Sequence, residues 1–502
     1  MIQSGRLPVA LQAAPRPRSP ALLLSLLAGW LLVTLGWRPL LLPDEGRYAE
    51  VARAMLHGDA IVPMLDGLPF FHKPPLFYWL DLAAMHVVGE NVFAGRFGSF
   101  VGAWLMGAAL LLAMRRWHGP REAAIALGVL ATTPFFFVGA QYANHDMLVG
   151  GLIAAAVLAM ARAVDQPPAV NLRWLVTGWV LCALAMLAKG LIGIVLPALV
   201  IGPWLLAQGR WRQMLKLLHP LGLLAFVVVA APWFIAMQLR YPAFYDYFFG
   251  EQHFRRFELS NFNNVRGPWF FLVAMPLLTL PWSAWLPATV PPATGGRNPT
   301  IGLYAWWLVA VIGFFSIPGS KLVGYVLPAL APWCALLGLA VARSPRRVWP
   351  WVMGTAAVAC VAFVGAVAWK APKSSRALAH ALAAQLAPQD TVVMVDEYYY
   401  DVPFYARLSK PVVIASNWAD PELPKRDNWR KELFDAARFD PARGRALLQP
   451  LASLDALNCG ASVVWFIVPK REATRVSALS GATLAFVDKR AELWRVPGRA
   501  CP

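Results

Sequence analysis

A segment that crosses a bilayer must close its backbone hydrogen bonds within itself, and about eleven stretches of this sequence are apolar enough to fall under that rule. They are 21–37, 97–114, 123–140, 147–163, 174–187, 191–207, 218–237, 269–286, 301–317, 322–341 and 349–369. Composition agrees: 58% of the residues are hydrophobic and 14% charged, where a soluble domain carries about a quarter charged. The net charge of +18 does not argue for nucleic acid, because most of the arginine sits in short loops between apolar runs, where it orients a chain among anionic membrane lipids. The expected fold class is an α-helical polytopic membrane protein with a small C-terminal α/β domain.

Arg6, Arg16 and Arg18 precede the first apolar run. No small-residue cleavage site follows it, so it reads as a retained span rather than a signal peptide. Leu76 to Gly89 is apolar but short and holds Asp81 and His86; it reads as interfacial. With the N-terminus in the cytoplasm, Arg115, Arg116, Arg121, Arg162, Arg173, Arg210, Arg212, Lys216, Arg297, Arg343, Arg346 and Arg347 then share one face, as the positive-inside rule requires. An odd number of spans places the C-terminal part on the opposite face. The expected division is 1–370, membrane domain, with outer loops 39–96 and 240–268, and 371–502, a soluble α/β domain. In the first outer loop, Tyr48, Val51, Ala52, Met55 and Leu56 form one helical face, and Arg47, Glu50, Arg53 and His57 the other. That pattern predicts an amphipathic helix lying along the membrane surface. In the C-terminal domain, 391–396, 412–415 and 463–468 read as buried strands, and 375–386 and 431–438 as helices. Cys182, Cys334 and Cys360 sit in apolar runs as small hydrophobes. A disulfide between Cys459 and Cys501 is open to the chain if that domain lies outside the cytoplasm. No repeat, phosphate-cradling glycine loop or zinc spacing is present.

Charges near a bilayer are costly and tend to be functional, and here they gather at the outer ends of the spans. In PDEGRYAE (43–50), Asp44 suits a general base or an N-cap, with Arg47 one turn on. In FFHKPPLFYW (70–79), two prolines fix the direction of Lys73, a phosphate ligand or a snorkelling interface lysine; His72 suits a metal ligand, a base or neither. In QYANHDM (141–147), Asp146 is an acceptor-positioning acid or metal ligand, or a cap of the following span. In AKGLIG (188–193), Lys189 is a phosphate contact or the end of a capped helix. Arg255 and Arg256 of EQHFRRF (251–257) suit a phosphate grip or lipid headgroups. Lys321 and Tyr325 of SKLVGYVLP (320–328), four apart, would share a helical face, holding a lipid phosphate or anchoring at the interface.

Taken as an ordered set, PDEGRYAEVARAML, HKPPLFYW, GENVFAGRFGS, Asp146–Met147, AKGLIGIVLP, EQHFRRF, PWFF and SKLVGYVLP resemble the bacterial aminoarabinose transferases and the related protein O-mannosyltransferases, from about Pro43 to Pro328. These are membrane glycosyltransferases of the C-type fold. The resemblance implies transfer of a sugar from a polyprenyl (undecaprenyl) phosphate to an envelope acceptor such as lipid A, with inversion. It implies a bacterial inner-membrane enzyme whose active site and C-terminal domain face the periplasm. It matches Asp44 to the essential acid and Asp146 to the second acid. Lys73 and Arg256 match binders of the lipid phosphate, supported by Arg47, Lys189 and Tyr325. The family typically has Glu before Lys-Pro-Pro, close to a bound metal; this chain has His72, neutral or cationic where Glu is anionic. A divalent metal (zinc, magnesium or manganese) would have His72 as its ligand here. Protein hydroxyls are the alternative acceptor. A lipid-linked sugar transporter or an envelope scaffold is the alternative outside enzymes, although transporters build their sites from repeats at mid-membrane.

Overall fold

The computed structural model describes residues 19–255, 264–289, 298–345, 348–371, 373–425 and 427–500. Among them, seven helices are long and apolar enough to cross a membrane: Ala94–Trp117, His145–Ala163, Leu172–Lys189, Pro220–Arg240, Pro299–Ser316, Val323–Arg343 and Trp349–Lys370. Two expected spans are bent. Pro120–Ala131 meets Pro134–Ala140 at 66°, and Phe270–Leu278 meets Trp282–Thr289 at 117°. A proline stands at each break, Pro134 and Pro281, where the ring cannot donate to the preceding turn. Counting each bent pair once gives up to nine. The two remaining expected spans, Pro20–Leu32 and Ile192–Leu206, are shorter apolar helices, the second carrying Pro197 and Pro203. All eleven stretches are helical, but fewer than eleven are straight crossings. The short helix Leu76–Val88 has 13 residues, about 20 Å of length, and its Asp81 is fully buried, accepting the Gly98 amide at 2.7 Å.

The centre of the bundle is His145–Ala163, whose Gly- and Ala-rich surface permits close helix contact. Gly102 and Gly151 show how close: a Cβ on either would overlap the backbone of the facing helix. At the other extreme Trp349–Lys370 is mostly exposed, with Trp351, Val358, Phe363 and Trp369 presenting an apolar face, as a helix bordering lipid would.

After Lys370 the chain forms a mixed sheet. Counting the small hairpin β1 (Met64–Leu65) and β2 (Leu68–Pro69) first, the sheet strands are β3 (Thr391–Val395), β4 (Val413–Ser416), β5 (Leu448–Pro450), β6 (Val464–Pro469), β7 (Thr483–Val487) and β8 (Ala491–Val496). Their order is β5-β4-β3-β6-β8-β7. β5, β4, β3 and β6 run parallel, and β8 and β7 close the sheet antiparallel. β3, β4 and β6, the buried apolar runs, fall where the sequence predicts strands, and the helices Arg376–Ala383 and Trp429–Ala437 fall in the predicted helical stretches.

The sheet domain covers the helix Asp44–His57. The stretch expected as an amphipathic surface helix is a helix, and its polar face is covered by protein: Arg47, Glu50 and Arg53 are all buried. The amphipathic pattern is real, but its polar face meets protein. Arg53 pairs with Glu50 and donates to the Leu408 carbonyl at 2.9 Å. Gly46 lies so close to Asp401 that a Cβ would sit 2.8 Å from its amide nitrogen. The β1–β2 hairpin docks beside it. Its tip, Asp66 and Gly67, adopts positive φ, as a two-residue hairpin turn requires, and the Asp66 carboxylate accepts the Val412 amide at 2.9 Å.

Beneath these elements lies Glu45, fully buried between Arg38 and Arg96. Its oxygens also accept the amides of Leu41 and Ala143, each at 2.9 Å. Arg96 donates further to the carbonyls of Leu35, Arg38 and Pro39 at 2.8–2.9 Å. Burial works against the ionised carboxylate, but the two guanidinium groups outweigh it and hold its pKa at about 2.

Two outcomes follow for stability. Glu45→Ala leaves two guanidinium groups buried without their counter-ion and is expected to cost about 3–5 kcal/mol, read as loss of folded protein on heating in detergent. Asp66 has the opposite sign: burial pushes its carboxyl up to about 8, only partly offset by the Val412 amide. The folded state therefore keeps a proton that the unfolded chain has released, and stability should fall as pH rises from about 4 to 8 and then level. Asp66→Asn keeps the acceptor without the charge, so its melting temperature should exceed that of the native protein by a margin widening up to pH 8; equal pH profiles would contradict this.

Candidate active site

A cavity of about 910 Å³ lies between the ends of the spans and the sheet domain. Asp44, Arg47, His72, Lys73, Asp146, Lys189 and Tyr325 all line it. Arg256 lies outside the described residues.

Asp44 begins the helix Asp44–His57, but the cap position belongs to Pro43 and the Asp44 side chain makes no capping bond. Its carboxylate turns to the cavity. Oδ1 accepts from Arg47, one turn on, and Oδ2 lies 3.4 Å from the Tyr142 hydroxyl and 3.3 Å from the Asn144 amide. The long contacts leave Oδ2 the less engaged oxygen.

Arg47 is the hinge between the two halves of the protein. One arm of its guanidinium pairs with Asp44, the other with Glu432 of the sheet domain. Its faces lie against Tyr48 and Tyr400, 4.8 and 5.5 Å from the ring centroids. The Tyr400 hydroxyl donates to the other Glu432 oxygen at 2.5 Å. Burial opposes the charge of Arg47, and Glu432 and Asp44 more than restore it, so the group stays a cation.

Lys73 and His72 follow the hairpin. The Lys73 ammonium donates to the His72 carbonyl at 3.0 Å, Pro75 occupies the cap position of the next helix, and Lys73 lines the cavity. The His72 ring stacks on Phe70 with centroids 4.5 Å apart.

Asp146 and Lys189 form an ion pair across two span ends. Neither serves as a cap. Asn144 caps the helix by accepting the Asp146 amide at 2.9 Å, and Gly190, at φ 91°, ends the other. The Lys189 ammonium also sits 4.8 Å from the Tyr325 ring centroid. Gly324 packs onto the Asp146 carboxylate, where a Cβ would overlap it.

Lys321 differs from the expectation. The chain at Ser320 bridges to Val265 in an extended conformation, and the helical turn starts only at Val323, so Lys321 and Tyr325 do not share a helical face. The Lys321 ammonium is buried on the carbonyls of Arg266, at 3.0 Å, and Pro318, and it is not part of the cavity lining.

Sequence reasoning missed Glu432, Tyr400, Tyr142 and Asn144. The last two stand within the QYANHDM stretch singled out for Asp146. Glu432 and Tyr400 carry no signal: each is an ordinary residue in a domain without a motif, brought to Arg47 by tertiary packing. Among the described residues no three His, Cys, Asp or Glu side chains gather as a metal site.

Residues 72–235 match the family model described as dolichyl-phosphate-mannose-protein mannosyltransferase. The chain is 34% identical over 339 residues to the undecaprenyl phosphate-alpha-4-amino-4-deoxy-L-arabinose arabinosyl transferase of Pseudomonas aeruginosa PAO1, covering 66% of this chain and 61% of that protein. It is 32% identical over 355 residues to the enzyme of the same name from Aeromonas salmonicida, covering 67% and 64%. The chain thus spans about three fifths of the length of these relatives. The crystal structure of ArnT from Cupriavidus metallidurans bound to undecaprenyl phosphate superposes with a TM-score of 0.83 at 24% identity, over 96% of this chain and 99% of that one. The apo form of that protein gives 0.82 at 23% identity.

The Arg47–Glu432 pair makes a direct test of the junction. A double-mutant cycle with Arg47→Ala and Glu432→Ala, read by thermal stability, should return a coupling of about 1–3 kcal/mol. Strictly additive losses would mean that the two halves do not meet through this pair.

Proposed function

We propose that this chain, which is similar to the aminoarabinose transferases and has the C-type glycosyltransferase fold, transfers a sugar from a polyprenyl phosphate, undecaprenyl phosphate in bacteria, to an envelope acceptor such as lipid A. The observation that carries this is a single cavity holding an acid, Asp44, beside the cations Arg47, Lys73 and Lys189, with an apolar wall of Phe314, Phe315 and Leu322 on the side of the spans. An anionic carrier with a long hydrocarbon tail needs that combination.

In this reading the tail lies along the apolar wall near Tyr325, and the leaving phosphate is met by Lys73 and Arg47, joined by Arg256 on the strength of the family resemblance. Fixed cations facing a developing phosphate charge stabilise the transition state most where water is excluded. An acceptor hydroxyl approaches the anomeric carbon from the opposite face. As the new glycosidic bond forms and the bond to the phosphate oxygen breaks, its proton passes to Asp44, and configuration inverts. A phosphate acceptor needs no base, and Asp44 would then orient it. Asp146 acts by holding Lys189 at the cavity. A zinc, magnesium or manganese ion bound there would find a nitrogen ligand in His72. The relatives are named for aminoarabinose, and that sugar is the first donor to test.

The proposed place is the bacterial inner membrane, with the cavity and residues 371–502 in the periplasm. The basic loops support this orientation, and so does the disulfide of Cys459, a bond that persists in oxidising compartments.

Lys73→Ala and Asp44→Asn should each abolish transfer from the undecaprenyl phosphate sugar while the purified protein keeps its elution profile and melting temperature. Turnover at the native rate in either variant removes that residue from the mechanism.

A further inference from the structure

Among the described residues, the acids that line the cavity are Asp44, Asp146, Glu397, Asp427 and Glu432, and each is already engaged. Glu432 gives one oxygen to Arg47 and accepts the Tyr400 hydroxyl on the other. Asp146 gives one oxygen to Lys189, and Gly324 lies against the other so closely that a Cβ there would overlap it. Glu397 has Arg490 3.7 Å from one oxygen and Arg471 3.8 Å from the other. Asp427 has a partner too. Asp44 keeps the one lightly held oxygen, Oδ2, with contacts of 3.3 and 3.4 Å to Asn144 and Tyr142.

Which residues meet the donor sugar follows from the leaving group. In the transferase reading Lys73 and Arg47 face the phosphate, and the anomeric carbon is joined to that phosphate through a single oxygen. The side chains next to these cations therefore border the sugar. Beside Lys73 stands His72, which lines the cavity. Its ring stacks on Phe70, and Tyr247 lies 6.0 Å from it between centroids. The Tyr247 hydroxyl accepts the Gln252 amide at 3.0 Å, and Gln252 and Asn264 line the same cavity. An imidazole is neutral or cationic and never an anion, and side-chain amides are uncharged groups that both donate and accept.

This edge of the cavity suits hydroxyls and opposes an ammonium. A sugar bearing an amine, as in the relatives' names, would carry its positive charge out of water toward Lys73, Arg47 and His72. A buried charge is tolerated when it is paired, and the carboxylates around it already have partners. Asp44 Oδ2 is no substitute, because the transferase reading assigns that oxygen to the proton of the acceptor hydroxyl, and an ammonium seated on it would occupy the place the proton needs. Sugar hydroxyls make no such demand: amides and a neutral imidazole can serve them as donor and acceptor.

We propose that the sugar this chain takes from its polyprenyl phosphate carries no amine, that it is an uncharged hydroxylated sugar, and that His72 is the residue that sets the preference. The proposal rests on the transferase reading above and names the donor class.

The test measures binding to the full chain in lipid nanodiscs at pH 7. The probes are undecaprenyl phosphate, undecaprenyl phosphate-linked arabinose, and the same lipid carrying 4-amino-4-deoxyarabinose, in which an ammonium replaces one hydroxyl. The native protein should bind the arabinose lipid about tenfold more tightly than the amino sugar lipid. His72→Glu supplies a carboxylate at that edge and should shift the ratio about tenfold toward the amino sugar, whereas His72→Gln, which is uncharged, should keep the native ratio. Each ratio compares two ligands on one protein, so the amount of folded variant does not move it. The proposal is overturned if the native protein binds the amino sugar lipid as tightly as the arabinose lipid or more tightly, if His72→Glu keeps the native ratio, or if His72→Gln shifts it as far as His72→Glu. Failure of all three probes to bind the native protein would defeat the transferase reading itself, a result distinct from these.

Discussion

The buried carboxylate of Glu45 fixes the frame on which the cavity is built. It joins four separate pieces of chain: the exit of the first helix through Arg38, the start of Asp44–His57, the entry of the next span through Arg96, and the turn before His145 through the Ala143 amide. A buried ion pair is a weak source of net stability, because desolvation cancels much of the attraction. What it supplies is uniqueness of arrangement: with every oxygen and most guanidinium donors satisfied by named partners, no shifted register satisfies them as well. Asp44 is the residue immediately before it, so the direction of its side chain is set by the same lock.

From that frame the cavity is assembled by two halves of unlike chemistry. The spans bring charged residues only at their ends, where Asp146 starts one helix and Lys189 finishes the next. The sheet domain then closes over Asp44–His57 and returns a carboxylate, Glu432, to the guanidinium that faces Asp44. The polar face of that helix can be buried because each charge on it meets a partner, which offsets part of the desolvation: Arg47 with Asp44 and Glu432, Arg53 with Glu50. Membrane helices alone would have left those groups to water or lipid headgroups.

Much of this is legible in the sequence, and the limits have physical reasons. Long apolar runs announce helices, and β3, β4 and β6 announce themselves because parallel strands buried on both faces read as unbroken apolar runs. β7 and β8 do not, since β7 is half exposed and its pattern is that of a surface loop. Hydropathy counts apolar residues without seeing direction, so the 117° bend after Leu278 was written only in Thr279–Pro281, a signal too local to decide a topology. Lys321 was misread by applying helical spacing to an extended segment. Asp44 and Asp146 each had a capping role open to them, and in both cases a neighbour took it, Pro43 by occupying the position and Asn144 by chemistry. Glu432 had no local signal at all, because its importance exists only relative to Arg47, 385 residues away in sequence.

The pairing of charges explains how one cavity can hold the Asp44 carboxylate next to several cations without collapse. Asp44 gives one oxygen to Arg47, and Arg47 is shared with Glu432, so the guanidinium cannot fold down on both oxygens of Asp44. Lys189 is likewise restrained by Asp146 and the Tyr325 ring. Arg47 and Lys189 are therefore positioned by folding itself, before any ligand arrives. The second Asp44 oxygen, with only contacts of 3.3 and 3.4 Å, is left facing the same space. The sheet domain, by holding Glu432 against Arg47, keeps that oxygen available, and this makes it part of the site rather than an appendage to the membrane bundle.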